Sequence, residues 1–136
     1  MNINEYREDL EKQEKGSPCY FSDSENSSYI DVRRVGTPQY KKEIEYIKKS
    51  LYTFNEEPNW DLVQANWLAE YGVTGWDGIY DESDNLLQYS KQAAKKIFLN
   101  PEYFKTLNEL LIQHGASYQN YLHDKAVEDA EVIKKN

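Results

Sequence analysis

Residues 72–78 read Gly72-Val73-Thr74-Gly75-Trp76-Asp77-Gly78, three glycines around one large ring, and the rest of the chain is read outward from them. Glycine reaches backbone conformations closed to other residues and lets main chain pass against a bulky side chain. The stretch therefore predicts a turn leaving a helix, with Trp76 as its plug and Gly75 and Gly78 beside it. Ile79-Tyr80 and Leu86-Leu87-Gln88-Tyr89 flank the acidic turn Asp81-Glu82-Ser83-Asp84-Asn85, a pattern that suits a short β-hairpin. Paired helices follow. Ser90 is a good cap for a helix that buries Ala93, Ala94, Ile97 and Phe98. Asn100-Pro101 opens a second, with Phe104, Leu107, Leu110 and Leu111 inward and an end near Gly115.

Upstream, Asn59 caps a helix that carries Trp60, Val63 or Gln64, Trp67 and Tyr71 on one side. Trp60 and Trp67 fall one above the other after two turns, which predicts that both anchor the core. Thr37-Pro38 starts another helix, with Tyr40, Ile44, Ile47 and Leu51 on its apolar face. Cys19-Tyr20-Phe21 and Tyr29-Ile30-Asp31-Val32 are aromatic and β-branched runs on either side of a Ser-rich tract over residues 22–28, and read as a hairpin with a wide loop. Residues 2–15 show only Ile3, Tyr6 and Leu10 as an apolar face, broken at Gly16-Ser17-Pro18. From Ala116 to Lys134 a last helix is expected, with Tyr118, Leu122, Ala126, Ala130 and Ile133 as a thin stripe.

These signals give a mostly α protein with short β-hairpins (α+β), a small single-domain helical bundle with one or two minor hairpins. The expected organisation is a flexible N-terminal arm over 1–15, a globular core over 16–115 and a partly mobile C-terminal helix over 116–136. A chain of 136 residues has room for one core. Hydrophobic residues make up 39%, below the roughly 45–50% of an ordinary globular chain, so that core must lean on the twelve Tyr and three Trp.

Sixteen Lys and Arg against 24 Asp and Glu leave a net charge of −8, which repels phosphate backbones and argues against nucleic-acid binding. The same charge would suit an inhibitor that imitates DNA, but acids and lysines alternate along the helices and blur any acidic stripe. Cys19 is the only cysteine, as expected in a reducing compartment. The polar start and the absence of any run of about 18 apolar residues predict neither a signal peptide nor a membrane contact.

Catalytic patterns do not emerge. His114 and His123 are nine apart, with no second cysteine or metal-ligand spacing, and His114 at a helix end is favourable for the helix dipole alone. A calcium loop needs an oxygen at its third position, Gly at its sixth and Glu at its twelfth; from Asp77 these are Ile79, Glu82 and Gln88. Gly72 to Gly75 is no phosphate-binding loop, since no Gly-Lys-Ser/Thr follows. The expectation is a protein that is not an enzyme and uses no cofactor or metal.

The order Tyr29-Ile30-Asp31-Val32, Gly36-Thr37-Pro38-Gln39-Tyr40, Val73 to Ile79, Asp81 to Asn85, Tyr89-Ser90, Asn100-Pro101-Glu102-Tyr103 and a terminal Lys135-Asn136 resembles a tailed-bacteriophage family of tail assembly chaperones. The turn departs from that pattern, with Asp84-Asn85 where Asp-Gly is typical, and residues 1–15 lie outside it. The resemblance implies a non-catalytic phage protein that binds tail tube or tape-measure subunits in the host cytoplasm. Ile3, Tyr6, Leu10, Tyr118, Tyr121 and Leu122, on the lean terminal segments, would supply the contacts. The alternatives are a virion structural component, such as a connector or tail protein, and an acidic inhibitor of a host defence protein.

Overall fold

The computed structural model describes residues 1–21 and 28–124. It is the expected α+β domain, helices packed around one small antiparallel sheet. The sheet holds β1 (Ser17–Tyr20), β2 (Tyr29–Val32) and β3 (Val73–Asp77), with β2 in the middle. The first hairpin is present as read, with Cys19 opposite Ile30 and Tyr20 opposite Tyr29; most of its Ser-rich loop, residues 22–27, lies outside the described residues.

The helices begin where side chains satisfy free amides. Helix α1 (Leu10–Lys15) starts after Asp9. Helix α2 (Pro38–Leu51) is capped by Thr37, which accepts from the Tyr40 amide, and α3 (Trp60–Trp67) by Asn59. Ser90 caps α4 (Lys91–Phe98), which buries Ala94 and Phe98. Asn100-Pro101 does not open one long helix. It caps a 3-10 turn, Pro101–Tyr103, and α5 (Leu107–Ala116) starts afresh. At this break Asn108 lies inside the protein, where its amide donates to the Phe98 carbonyl at 2.8 Å and so satisfies the end of α4. Leu111 is buried, whereas Leu110 faces water.

The glycine stretch is a strand and not a turn. Val73 and Trp76 point into the core from β3, and Gly75 pairs with Asp31 with no left-handed backbone and room for a side chain. The close approach predicted for this stretch belongs to another pair: a side chain on Gly72 would overlap the ring of Trp67. Gly72 ends a π-helical turn, Leu68–Gly72, that continues α3, and the chain turns only at Gly78, with φ 69°. Trp76 remains a plug, packed edge-on against Tyr89 and donating to the Leu87 carbonyl at 2.9 Å. The second hairpin is small, one bridge from Tyr80 to Leu86 flanked by backbone bonds from Leu87 to the Ile79 carbonyl and from Asp81 to the Asn85 carbonyl, and the Tyr89 hydroxyl after it donates to the Val73 carbonyl of β3.

The two tryptophans of α3 part company. Trp67 is wholly buried, while Trp60 is 52% exposed, with Lys48 above its ring. At the C-terminal end of the helix Trp67 is enclosed by Tyr40 and Gly72, whereas at the N-terminal end the ring of Trp60 keeps one side open to water. Trp67 also donates from Nε1 to Glu43 at 3.0 Å. The Glu43 carboxylate takes two further bonds from Arg33, both 3.1 Å, and one from Gln39, and Arg33 in turn donates to the Tyr71 carbonyl. Glu43→Ala would leave a buried guanidinium and an indole N–H without their acceptor. It should cost about 3–5 kcal/mol in urea unfolding; a loss under about 1 kcal/mol, the worth of an exposed pair, would show that the network does not hold the fold.

Candidate protein-interaction surface

Helix α5 stops at Ala116, and residues 117–123 do not continue it. A 3-10 turn, Tyr118–Tyr121, follows, and Leu122 is extended and pairs with Glu8. The Tyr121 hydroxyl reaches across the core to the Val32 carbonyl at 2.6 Å, and a continued helix would carry it away. The rest of the expected C-terminal helix, residues 125–136, lies outside the described residues.

This segment and residues 1–15 lie side by side, held by polar groups. The Asp9 amide donates to the Tyr121 carbonyl at 2.7 Å and the His123 amide to the Arg7 carbonyl at 2.8 Å. Lys12 Nζ spans the Leu122 carbonyl and the Asp124 carboxylate. Arg34 is the main pin: it donates to Glu8 at 2.7 Å and to the Gly115 carbonyl at 3.0 Å, with its guanidinium over the Tyr121 ring. The arm's anchorage thus lies in its charges and backbone, not in its apolar residues.

Those apolar residues face outward. Ile3 is 77% and Leu10 73% exposed, and Tyr6 is exposed beside Tyr118, their ring centres 5.9 Å apart. Of the six residues expected to bind a partner, these four stay at the surface or its edge, and Tyr6 and Tyr118 are in ring contact. It withdraws the other two: Tyr121 and Leu122 are buried among the arm and the sheet. Burial also pushes the Tyr121 phenol far above its ordinary pKa, so it stays a hydrogen-bond donor. Next to Leu10 opens a cleft of about 630 Å³, with Glu11 and Glu14 of α1 on one wall and Thr37, Pro38 and Lys42 of α2 on the other. Leu51, Phe54 and Trp60, at the end of α2, in the connection and at the start of α3, are exposed as well.

One pair missed in the sequence is Ser17 and His114, 97 residues apart, whose Oγ and Nε2 approach to 3.3 Å. A hydroxyl beside an imidazole is half of a nucleophilic dyad. Here Ser17 is only 6% exposed, and neither residue lines the cleft beside Leu10. Among the described residues no three His, Cys, Asp or Glu come close enough to share a metal, and no helix is long and apolar enough to cross a membrane.

Residues 33–135 match the family model described as the YdaY prophage protein, and the chain belongs to that family. It is therefore phage-derived. The matched span includes Arg34, Glu43, Tyr118 and Tyr121 and leaves out Ile3, Tyr6 and Leu10. No curated protein and no solved structure matches the chain.

Burial lowers the pKa of His114, against a smaller opposing effect of Ser17. The unfolded chain, with its ring near 6.5, then takes up the proton before the folded one does. The contribution of His114 to stability is complete above that value and is lost as the pH falls below it. Melting temperature should fall between about pH 7 and pH 5, and His114→Gln should flatten the fall; an equal slope in the variant would refute the assignment. Arg34→Gln should release the arm by about 1–3 kcal/mol, read as faster amide exchange over residues 8–15. Unchanged exchange there would show that Arg34 is not the pin.

Proposed function

We propose that this phage protein acts by binding other phage proteins and not by catalysis, as a tail-assembly chaperone for tail tube or tape-measure subunits in the host cytoplasm. The observation that carries the reading is the pinned arm. Ordered apolar side chains held in water gain nothing until something covers them, and each buried fully against a partner is worth about 1.5–3 kcal/mol. Ile3, Tyr6 and Leu10 are such side chains, presented on a backbone fixed by Arg34, Lys12 and Asp9. Subunits awaiting polymerisation expose apolar patches and unpaired strand edges of the kind that such a surface can cover. The buried setting of Ser17 and His114 supports the non-catalytic part of the reading.

Size-exclusion chromatography of the purified chain with the tail tube and tape-measure proteins of its own phage tests the proposal. A complex with one of them is expected, weakened at least about tenfold, or 1.4 kcal/mol, by the double substitution Ile3→Asp and Leu10→Asp. Both positions are exposed, so circular dichroism should not change. No complex with either protein would overturn the reading, and stoichiometric recovery of the chain from purified particles would favour a virion component instead.

A further inference from the structure

The cleft beside Leu10 has walls of opposite sign. On the α1 wall Glu14 has no ion-pair partner among the described residues, and Glu11 is engaged by Lys15. On the α2 wall Lys42 is likewise unpaired, while Arg33 is committed to Glu43. Among the described residues, the charges lining this space that lack an ion-pair partner are thus one anion and one cation, with the exposed Leu10 and Pro38 beside them.

We propose that this cleft is the interface of a two-fold dimer, in which α1 of each copy lies against the start of α2 of the other. The argument is one of charge complementarity. A two-fold axis applies the same patch to itself, so a patch must carry its own complement. Rotation about an axis through the cleft sets Glu14 of one copy against Lys42 of the other, twice, and covers Leu10 and Pro38 from both sides. A partner of a single sign would meet a like charge on one wall. With so few apolar residues the dimer is weak and concentration-dependent. The dimer and the proposed chaperone partner share Leu10 and so compete for the arm. The inference does not rest on that partner, because it is read from the chain alone.

Analytical ultracentrifugation of the full chain over a wide concentration range tests it. Self-association is expected in the wild type, and Glu14→Lys and Lys42→Glu, both at exposed positions, should each weaken it at least about tenfold by placing like charges opposite one another. An equimolar mixture of the two variants should restore the dimer, because each carries a uniform sign that the other complements at both contacts. Native mass spectrometry with one variant isotopically labelled should then show the mixed species. A chain monomeric at every concentration would overturn the proposal and leave the cleft to another occupant. A dimer indifferent to both substitutions, or a mixture no tighter than either variant alone, would overturn it as well.

Discussion

The fold depends on where the carboxylate of Glu43 ends. It sits nearly out of water at the junction of four elements, taking bonds from Trp67 of α3, from Arg33 beyond the end of β2 and from Gln39 of its own helix, while Arg33 extends the junction to the Tyr71 carbonyl in the π turn. Burying a charge is costly, and such a pair adds less net stability than an apolar core of similar shape. What it contributes here is geometry. The donors have fixed directions, so α2 can be neither rotated nor slid against α3 without stranding one of them. Tyr40, one turn before Glu43, then packs edge-on against Trp67 with ring centres 4.8 Å apart.

The N-terminal arm inverts the usual arrangement, in which apolar groups hold a segment and polar groups face water. Glu8 turns inward to Arg34 and Lys12 to the Leu122 carbonyl, the Asp9 backbone amide donates to the Tyr121 carbonyl, and Ile3, Tyr6 and Leu10 turn outward. A segment anchored this way keeps its place without using its hydrophobic surface. Its attachment depends on ions and hydrogen bonds, which compete with water and salt more than packing does. The family match starts at Arg33, so the shared region supplies the Arg34 that pins the arm but not the side chains the arm displays.

Local rules were legible and long-range ones were not. Thr37, Asn59 and Ser90 cap helices as read, because a cap acts on amides two or three residues away. Asn100 does the same, but the element it caps is a 3-10 turn, since the break that follows serves Asn108, whose partner at Phe98 lies in the previous helix. Periodicity placed Trp60 and Trp67 on one face and could not say which end of that face the fold buries. Glycine content suggested a turn at Val73–Asp77, where pairing with β2 made a strand. In the candidate surface Ile3, Tyr6 and Leu10 could be picked as apolar residues the core does not need. Tyr121 and Leu122 share that character and are used inside, a choice made by Val32, Arg34 and Glu8, all far away in sequence.

The π turn at Leu68–Gly72 sits between the last turn of α3 and the first residue of β3, and it takes up one residue more per turn than an α-helix would. Side chains on a strand alternate between faces, so one residue is the offset that exchanges inside for outside. The wide turn therefore sets the phase at which the strand begins: it lets Trp67 finish the helix facing inward and still starts the strand with Val73 inside, and the extra residue Thr74, where the register with β2 shifts, returns Trp76 to the same inner face. Loss of a single residue there would leave every element intact and turn the strand inside out.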